Sequence, residues 1–206
     1  MNSRAALAGF AAAVTLAAVV HGAPPVTKQQ ADAFSRKITL IRQQGESASV
    51  KSSTRSTGTK RTRVSESELN SWFAYNSQSV LPDGVTKPSL TIIGNGRVAG
   101  GATVDLDAIS KRRASGGAFD PWNLVGGQLP VTVTGTLVTR DGRGRFELQS
   151  AEVSGIPVPK TVLQELVTYY SKSADRPNGV RIDDAFALPA NIRQIEVGAG
   201  QAVVVQ

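Results

Sequence analysis

The sequence predicts an α+β fold, an antiparallel sheet of about seven strands with helices grouped between them. Three observations carry this. Segments that alternate apolar and polar residues are joined by short Gly, Asn and Asp turns. Pro157–Lys172 has apolar residues at helical spacing, with Val162, Leu163, Leu166, Val167, Tyr169 and Tyr170 against Thr161, Gln164, Glu165, Thr168 and Ser171. Ser65-Glu66-Ser67-Glu68 is a capping box that opens a second helix.

The chain has 206 residues, of which 40% are hydrophobic, and this length suits one domain plus a targeting segment. Leu7–Val20 is apolar and Ala-rich behind Arg4, and Val20-His21-Gly22 supplies residues tolerated before a cut. Residues 1–22 are therefore expected to be a secretory signal, and the protein to be exported to a periplasmic or other extracytoplasmic space. The competing reading is an uncleaved anchor, although the run is shorter than the ~20 residues of a span. His21 is the sole histidine, and cysteine is absent. Cleavage after Gly22 would leave a chain with neither residue. Ser-His-Asp and Cys-His catalysis, disulfides and ordinary zinc sites are then excluded. No cofactor or metal is expected. The formal charge of +7 favours anionic partners such as lipid head groups or wall polymers.

Thr27 is placed to cap a helix to about Gln44, with Phe34, Ile38 and Ile41 on one stripe. The stripe is thin, so the helix is either a stalk or packed at the domain edge. Residues 23–63 thus read as a helix and a basic Ser/Thr-rich linker, and residues 64–206 as the folded domain. Lys51, Arg55, Lys60, Arg61 and Arg63 make the linker basic. No aromatic residue is interleaved, so it does not read as a nucleic-acid stacking surface. An edge strand near Lys60–Val64 fits either a linker or a basic arm.

After the capping box, Leu69, Trp72 and Phe73 share one helical face, most simply core packing. Pro82-Asp83-Gly84 turns into strands at Ser89–Ile93 and Arg97–Ile109. Val98, Gly100, Ala102, Val104 and Leu106 alternate on one face of the second. Gly100-Gly101 suggests a bulge or a close approach. Lys111–Gln128 is a long connection. Asp120-Pro121 predicts a short helix carrying Trp122 and Leu124, and Lys111, Arg112 and Arg113 precede it. This segment reads either as an interfacial membrane contact or as a loop helix folded back on the sheet. Pro130–Arg140 alternates Val131, Val133, Gly135 and Leu137 with Thr132, Thr134 and Thr136. Asp141–Gly144 closes a hairpin with Arg145–Val153, which carries Phe146 and Leu148 inward. The Pro157–Lys172 helix follows, with Pro159 in its first turn and Lys172 in its last. Burying five of its side chains is worth about 10 kcal/mol before entropy. The rest of the chain is expected to be organised around it, and Leu166→Asp to unfold the domain or empty what the helix covers. Asn178-Gly179 leads to a strand at Val180–Leu188, and Ile192–Val197 with Gln201–Val205 forms a final hairpin.

Ser65–Asn70 (Ser-Glu-Ser-Glu-Leu-Asn), the Pro130–Leu137 and Gly142–Val153 hairpin, and Ile156-Pro157-Val158-Pro159 before Leu163, Leu166 and Tyr170 resemble the YpmS-like and LmeA-like secreted bacterial lipid-binding domains. These are relatives of the BPI-like (TULIP) proteins. Asn178-Gly179-Val180 and the closing hairpin continue the resemblance, which covers roughly 63–206. It implies a curved antiparallel sheet wrapped around the long helix and an apolar groove for acyl chains. It offers no catalytic residues.

The function expected is that of an exported, non-catalytic envelope protein binding a lipid or other apolar ligand. The groove residues would be Val104, Leu106, Val133, Leu137, Leu163, Leu166 and Tyr170. Trp122 and Leu124 would stand at the mouth, and Lys111, Arg112 and Arg113 would contact phosphate at an anionic membrane. The alternative is an interaction module that binds a protein or anionic wall polymer with no cavity. An enzyme would have to use the carboxylate pairs Asp105/Asp107 or Asp183/Asp184, the first pair expected on one strand face. No nucleic-acid motif is present.

Overall fold

A computed structural model describes residues 25–50, 58–108, 127–172 and 176–206. The elements in chain order are α1 (Lys28–Val50), β1 (Arg61–Ser65), α2 (Glu66–Asn76), β2 (Val85–Gly94), β3 (Arg97–Asp105), β4 (Gln128–Arg140), β5 (Arg143–Val153), β6 (Ile156–Pro157), α3 (Lys160–Ser171), β7 (Phe186–Ala187), β8 (Gln194–Gly198) and β9 (Gln201–Val205). The fold is α+β, and every pairing between the described strands is antiparallel. The described strands form two open sheets instead of a single one of about seven. One has six strands, in the order β2-β3-β4-β5-β6 with β7 on β5, and the other has the order β1-β9-β8.

Three hairpins of the larger sheet close through two-residue turns, Asn95-Gly96, Asp141-Gly142 and Ser154-Gly155. Both residues of each have positive φ, as the twist-compatible hairpin turns require. A register shift between Thr86 and Ser89 puts the bulge in β2. The expected close approach is at Gly101, where a Cβ would stand 2.8 Å from Ser89 Oγ. A second shift follows Thr134, and the ring of Phe146 then lies over Gly135, where a Cβ would meet Phe146 Cζ at 2.5 Å. Glycine at 135 is what lets the aromatic side chain lie flat on the neighbouring strand.

The edge strand β8 of the smaller sheet meets the turn ends of the β2–β3 and β4–β5 hairpins, and side chains complete the junction. Thr139 Oγ1 donates to Ile195 O at 2.9 Å and accepts from Ile195 N at 2.8 Å. Gly96 N donates to Val197 O, and Gly142 N to Arg193 O. The outer edge of β2 is closed in the same way. Asn70 Nδ2 donates to Leu90 O at 2.7 Å, and Asn70 Oδ1 accepts from Leu90 N at 2.8 Å. Glu66 Oε2 accepts from Ile92 N, and Gly200 N donates to Ile92 O. A carboxamide can give and take one hydrogen bond each in the spacing of a strand residue, so Asn70 stands in for a missing strand.

The capping box forms as expected. Ser65 Oγ accepts from Glu68 N, and Ser65 N donates to Glu68 Oε2. Glu68 also pairs with Lys37 of α1 at 2.7 Å. Thr27 Oγ1 accepts from Gln30 N, so the predicted cap of α1 is present. The helix continues to Val50, beyond the expected end near Gln44. It is a packed helix and not a stalk. Ala31 is fully buried, Phe34 meets Trp72 edge to face at 5.8 Å, and Gln206 Nε2 donates to Ile41 O. Ser71, which the sequence reading passed over, is fully buried between the helices. It donates to Gln30 Oε1 and accepts from Thr27 N.

Most of the core lies at this end of the molecule, with Ala151 of β5 the exception beside β6. Its buried apolar side chains come from α1 (Ala31, Ile41), β1 (Val64), β2 (Ile92), β3 (Val98), β5 (Ala151) and the C-terminal strands and turn (Ile192, Val205). None of the described side chains of α3 is buried to that degree. The expectation that the chain is organised around this helix is therefore corrected. The organising contacts are those of α1 and α2 with the small sheet, because there two helices and two strand edges are sealed from water together.

Other expectations shift by a few residues. Pro159 is the N-cap of α3 and Lys172 its C-cap. β3 ends at Asp105, and a helical turn follows at 106–108. The strand expected over Val180–Leu188 is irregular except for Phe186–Ala187. Its backbone satisfies itself elsewhere. Val180 N donates to Ser171 Oγ, Ile182 N donates to Gln164 Oε1, and Gln164 Nε2 donates to Val180 O. The side of α3 expected to face water is thus held by this strap.

Candidate functional site

Register decides which side chains share a face of the six-stranded sheet. Val104 lies opposite Leu129, Ala102 opposite Val131 and Gly100 opposite Val133. Across the next ladder, Val131 lies opposite Val153, Val133 opposite Ala151 and Leu137 opposite Phe146. Leu90 and Ile92 join the same face from β2. The result is an uninterrupted apolar face across four strands. Its other side carries Thr91, Thr103, Thr132, Thr134 and Thr136.

This face is sealed at one end, and among the described residues beside α3 only the small side chain of Ala151 is buried. Ile92 and Val98, near the β2–β3 turn, are buried under α2 and the small sheet. Further along, Val104, Leu129, Val131, Val133 and Val153 remain half-buried. The face continues from Val153 to its partner Ile156, which is 68% exposed, the most exposed large apolar side chain among the described residues. α3 stands beside it, in contact with β5. With Gln164, Thr168 and Ser171 turned to the strap, helical spacing puts Leu163 and Leu166 on the opposite side. Leu163 and Leu166 are half-buried, and the side chain of Tyr170 lies outside the described residues.

Of the groove residues expected from sequence, Val104, Val133 and Leu137 fall on this one face. Leu106 does not. It is half-buried in the turn after β3, where its amide donates to Gly127 O. The alternation that placed it with Val104 breaks because Asp105 caps the turn, its Oδ1 accepting from Ala108 N. That cap also takes Asp105 and Asp107 off a common strand face. Asp183 pairs with Lys160 at 2.7 Å, and Asp184 with Arg181. Lys111, Arg112, Arg113, Trp122 and Leu124 lie outside the described residues. Leu129, Leu148, Val153 and Ile156 were missed as members of the site. The period-two pattern signalled Leu129 and Leu148, whereas Val153 joins the face only through the register shift at Thr134/Gly135, and Ile156 became legible only when β6 folded back on β5.

Among the described residues no cluster of His, Asp or Glu could hold a metal ion, and no helix is long and apolar enough to cross a membrane. One carboxylate with a displaced pKa, Glu68, is structural. Burial pushes Glu68 up, but its hydrogen bonds to Lys37 and the Ser65 amide, together with the Lys37 charge, outweigh that and hold it below the ordinary carboxylate value. What the arrangement offers chemically is apolar area open to a ligand along one edge. No family model, no curated protein and no solved structure matches the chain.

Proposed function

We propose that this is an exported, non-catalytic envelope protein that holds a lipid acyl chain between α3 and the apolar face of the six-stranded sheet. One observation carries the reading: an apolar face running from Leu90 to Ile156 that is sealed at one end and half-open at the other. A soluble protein that leaves such a face incompletely covered gives up about 25 cal/mol for each Å² left wet. An acyl chain recovers that at about 0.8 kcal/mol per buried methylene. In this proposal the sheet curves over α3, as in the YpmS-like and LmeA-like domains that the chain resembles. Ile156 forms the rim. The 109–126 connection, with Trp122, Leu124 and Lys111–Arg113, is proposed to touch an anionic membrane.

The test is uptake of a fluorescent-acyl phospholipid from vesicles, followed by mass spectrometry of the organic extract. Wild-type protein is expected to take up lipid in a fixed ratio. Ile156→Asp and Leu166→Asp are expected to lose that uptake while melting within about 3 °C of wild type, because both side chains are partly exposed already. Of the two outcomes expected for Leu166→Asp, unfolding or emptying what the helix covers, the half-exposed side chain favours the second. Failure of the wild-type protein to take up or carry lipid would overturn the reading in favour of an interaction module.

A further inference from the structure

The opposite face of the same sheet has a different chemistry. Its β4–β5 end carries the run Arg140-Asp141-Gly142-Arg143-Gly144-Arg145. Arg140 and Arg143 are direct cross-strand partners, and Arg145 faces Val138 in the next row of the same side. Arg97 joins the following row through Thr136, whose other partner is Glu147. Rows on one face are about 7 Å apart and neighbouring strands about 4.8 Å, so four guanidinium groups share a patch a few rows deep. All four side chains are exposed. The patch has two carboxylates, Asp141 beside Arg140 and Glu147 beside Arg145.

Like charges directly opposite on a sheet repel and destabilise it, so stability alone does not account for Arg140 facing Arg143. An anion placed between them relieves that repulsion. Guanidinium groups bind phosphate, sulfate and carboxylate in paired hydrogen bonds. Beyond the arginines the face turns to hydroxyls and amides, with Thr132, Thr134, Thr136, Gln149 and Ser150, and at its far end carries the exposed carboxylate of Glu152 opposite Thr132. Gln149 Nε2 donates to Thr136 Oγ1, which places both on this side. The arginine end and the threonine rows next to it, on the side away from Glu152, complement an extended, polyhydroxylated polyanion.

We infer that the polar face of the six-stranded sheet, centred on Arg97, Arg140, Arg143 and Arg145, binds an anionic polysaccharide. The surface is on the other side of the sheet from the apolar face, so the inference does not rest on lipid binding. Occupancy of one side leaves the other open.

The experiment measures binding of the full mature chain to immobilised heparin and polygalacturonate at low and moderate salt. Neutral dextran, vesicles containing phosphatidylglycerol and duplex DNA are run in parallel. Wild-type protein is expected to bind the anionic polysaccharides, to ignore dextran and to weaken as salt rises. The triple variant R140Q/R143Q/R145Q is expected to lose affinity on the order of tenfold or more while its melting temperature holds or rises. The control K60Q/R63Q carries exposed charge changes away from this face and is expected to bind like wild type. Equal binding by the triple variant and wild type would overturn the inference. So would binding confined to vesicles or DNA, or an equal loss in the K60Q/R63Q control. The single variant R143Q, expected to show a smaller loss in the same direction, covers the case in which the triple variant is impaired in folding.

Discussion

Replacing Asn70 by alanine removes the side chain that closes the edge of β2. Two hydrogen bonds disappear together, the 2.7 Å bond to Leu90 O and the 2.8 Å bond from Leu90 N. Each neutral bond is worth about 1 kcal/mol net. The Leu90 amide then lies half-buried beneath α2 with no protein partner, which adds about 1 kcal/mol. The sum, about 3 kcal/mol, is a large share of the stability of a domain this size. At about 2–4 °C per kcal/mol, the melting temperature should fall by about 6–12 °C. Thermal melts followed by circular dichroism give the shift, and hydrogen exchange at the Leu90 amide shows whether the loss is local. Asn70→Asp separates the two bonds. Its carboxylate still accepts from Leu90 N but repels Leu90 O, and protonation restores a donor. That variant should be destabilised at neutral pH and recover part of the loss below about pH 4. The reasoning fails if Asn70→Ala melts within about 2 °C of wild type and keeps Leu90 protected.

Three further outcomes follow from the same contacts. Glu68→Gln should lose stability at neutral pH, and the gap to wild type should close as the pH drops. Because the folded-state pKa of Glu68 is depressed, its contribution is present above the unfolded value and is lost as pH falls through the folded one; urea titrations at pH 7, 5 and 3 read this, and a constant gap would count against it. Gly135→Ala should cost about 2–3 kcal/mol, since the new methyl group meets both the Phe146 ring and Glu147 O at 2.5 Å. Adding Phe146→Leu should return only part of it, because the backbone oxygen stays in place. Thr139→Val keeps the shape but removes both bonds to Ile195 and should cost about 2 kcal/mol, measured as a lower urea midpoint with unchanged slope.

Much of the local structure could be read from the chain. The capping box at Ser65–Glu68, the cap at Thr27, the hairpin at Asp141-Gly142 and the alternation of β3 and β4 each depend on residues close in sequence. The α+β class followed from the same signals. Half of the site was legible for the same reason: alternation alone put Val104, Val133 and Leu137 on one side of their strands. Leu106 shows where that reasoning stops. Its strand pattern continues in the sequence, but Asp105 captures the Ala108 amide and turns the backbone first.

The amphipathic pattern of α3 was also correct, yet its place in the molecule was not. Periodicity states which side of a helix is apolar, and the apolar side of α3 is real. It cannot state how much of that side another element covers. Burial is a property of two surfaces, and the second surface is supplied by residues tens of positions away. The same reason accounts for Ser71, Asn70 and Thr139. Each is an ordinary polar residue in sequence, and each becomes structural only when Gln30, Leu90 or Ile195 is brought within 3 Å. Sequence alone determined most of the elements, the caps at Thr27 and Ser65, the hairpin turns and the two chemically distinct faces of β3 and β4. Tertiary structure alone decided which edges those polar side chains close, that the chain divides into two sheets, and that the apolar face is sealed at the α2 end and left half-open beside α3.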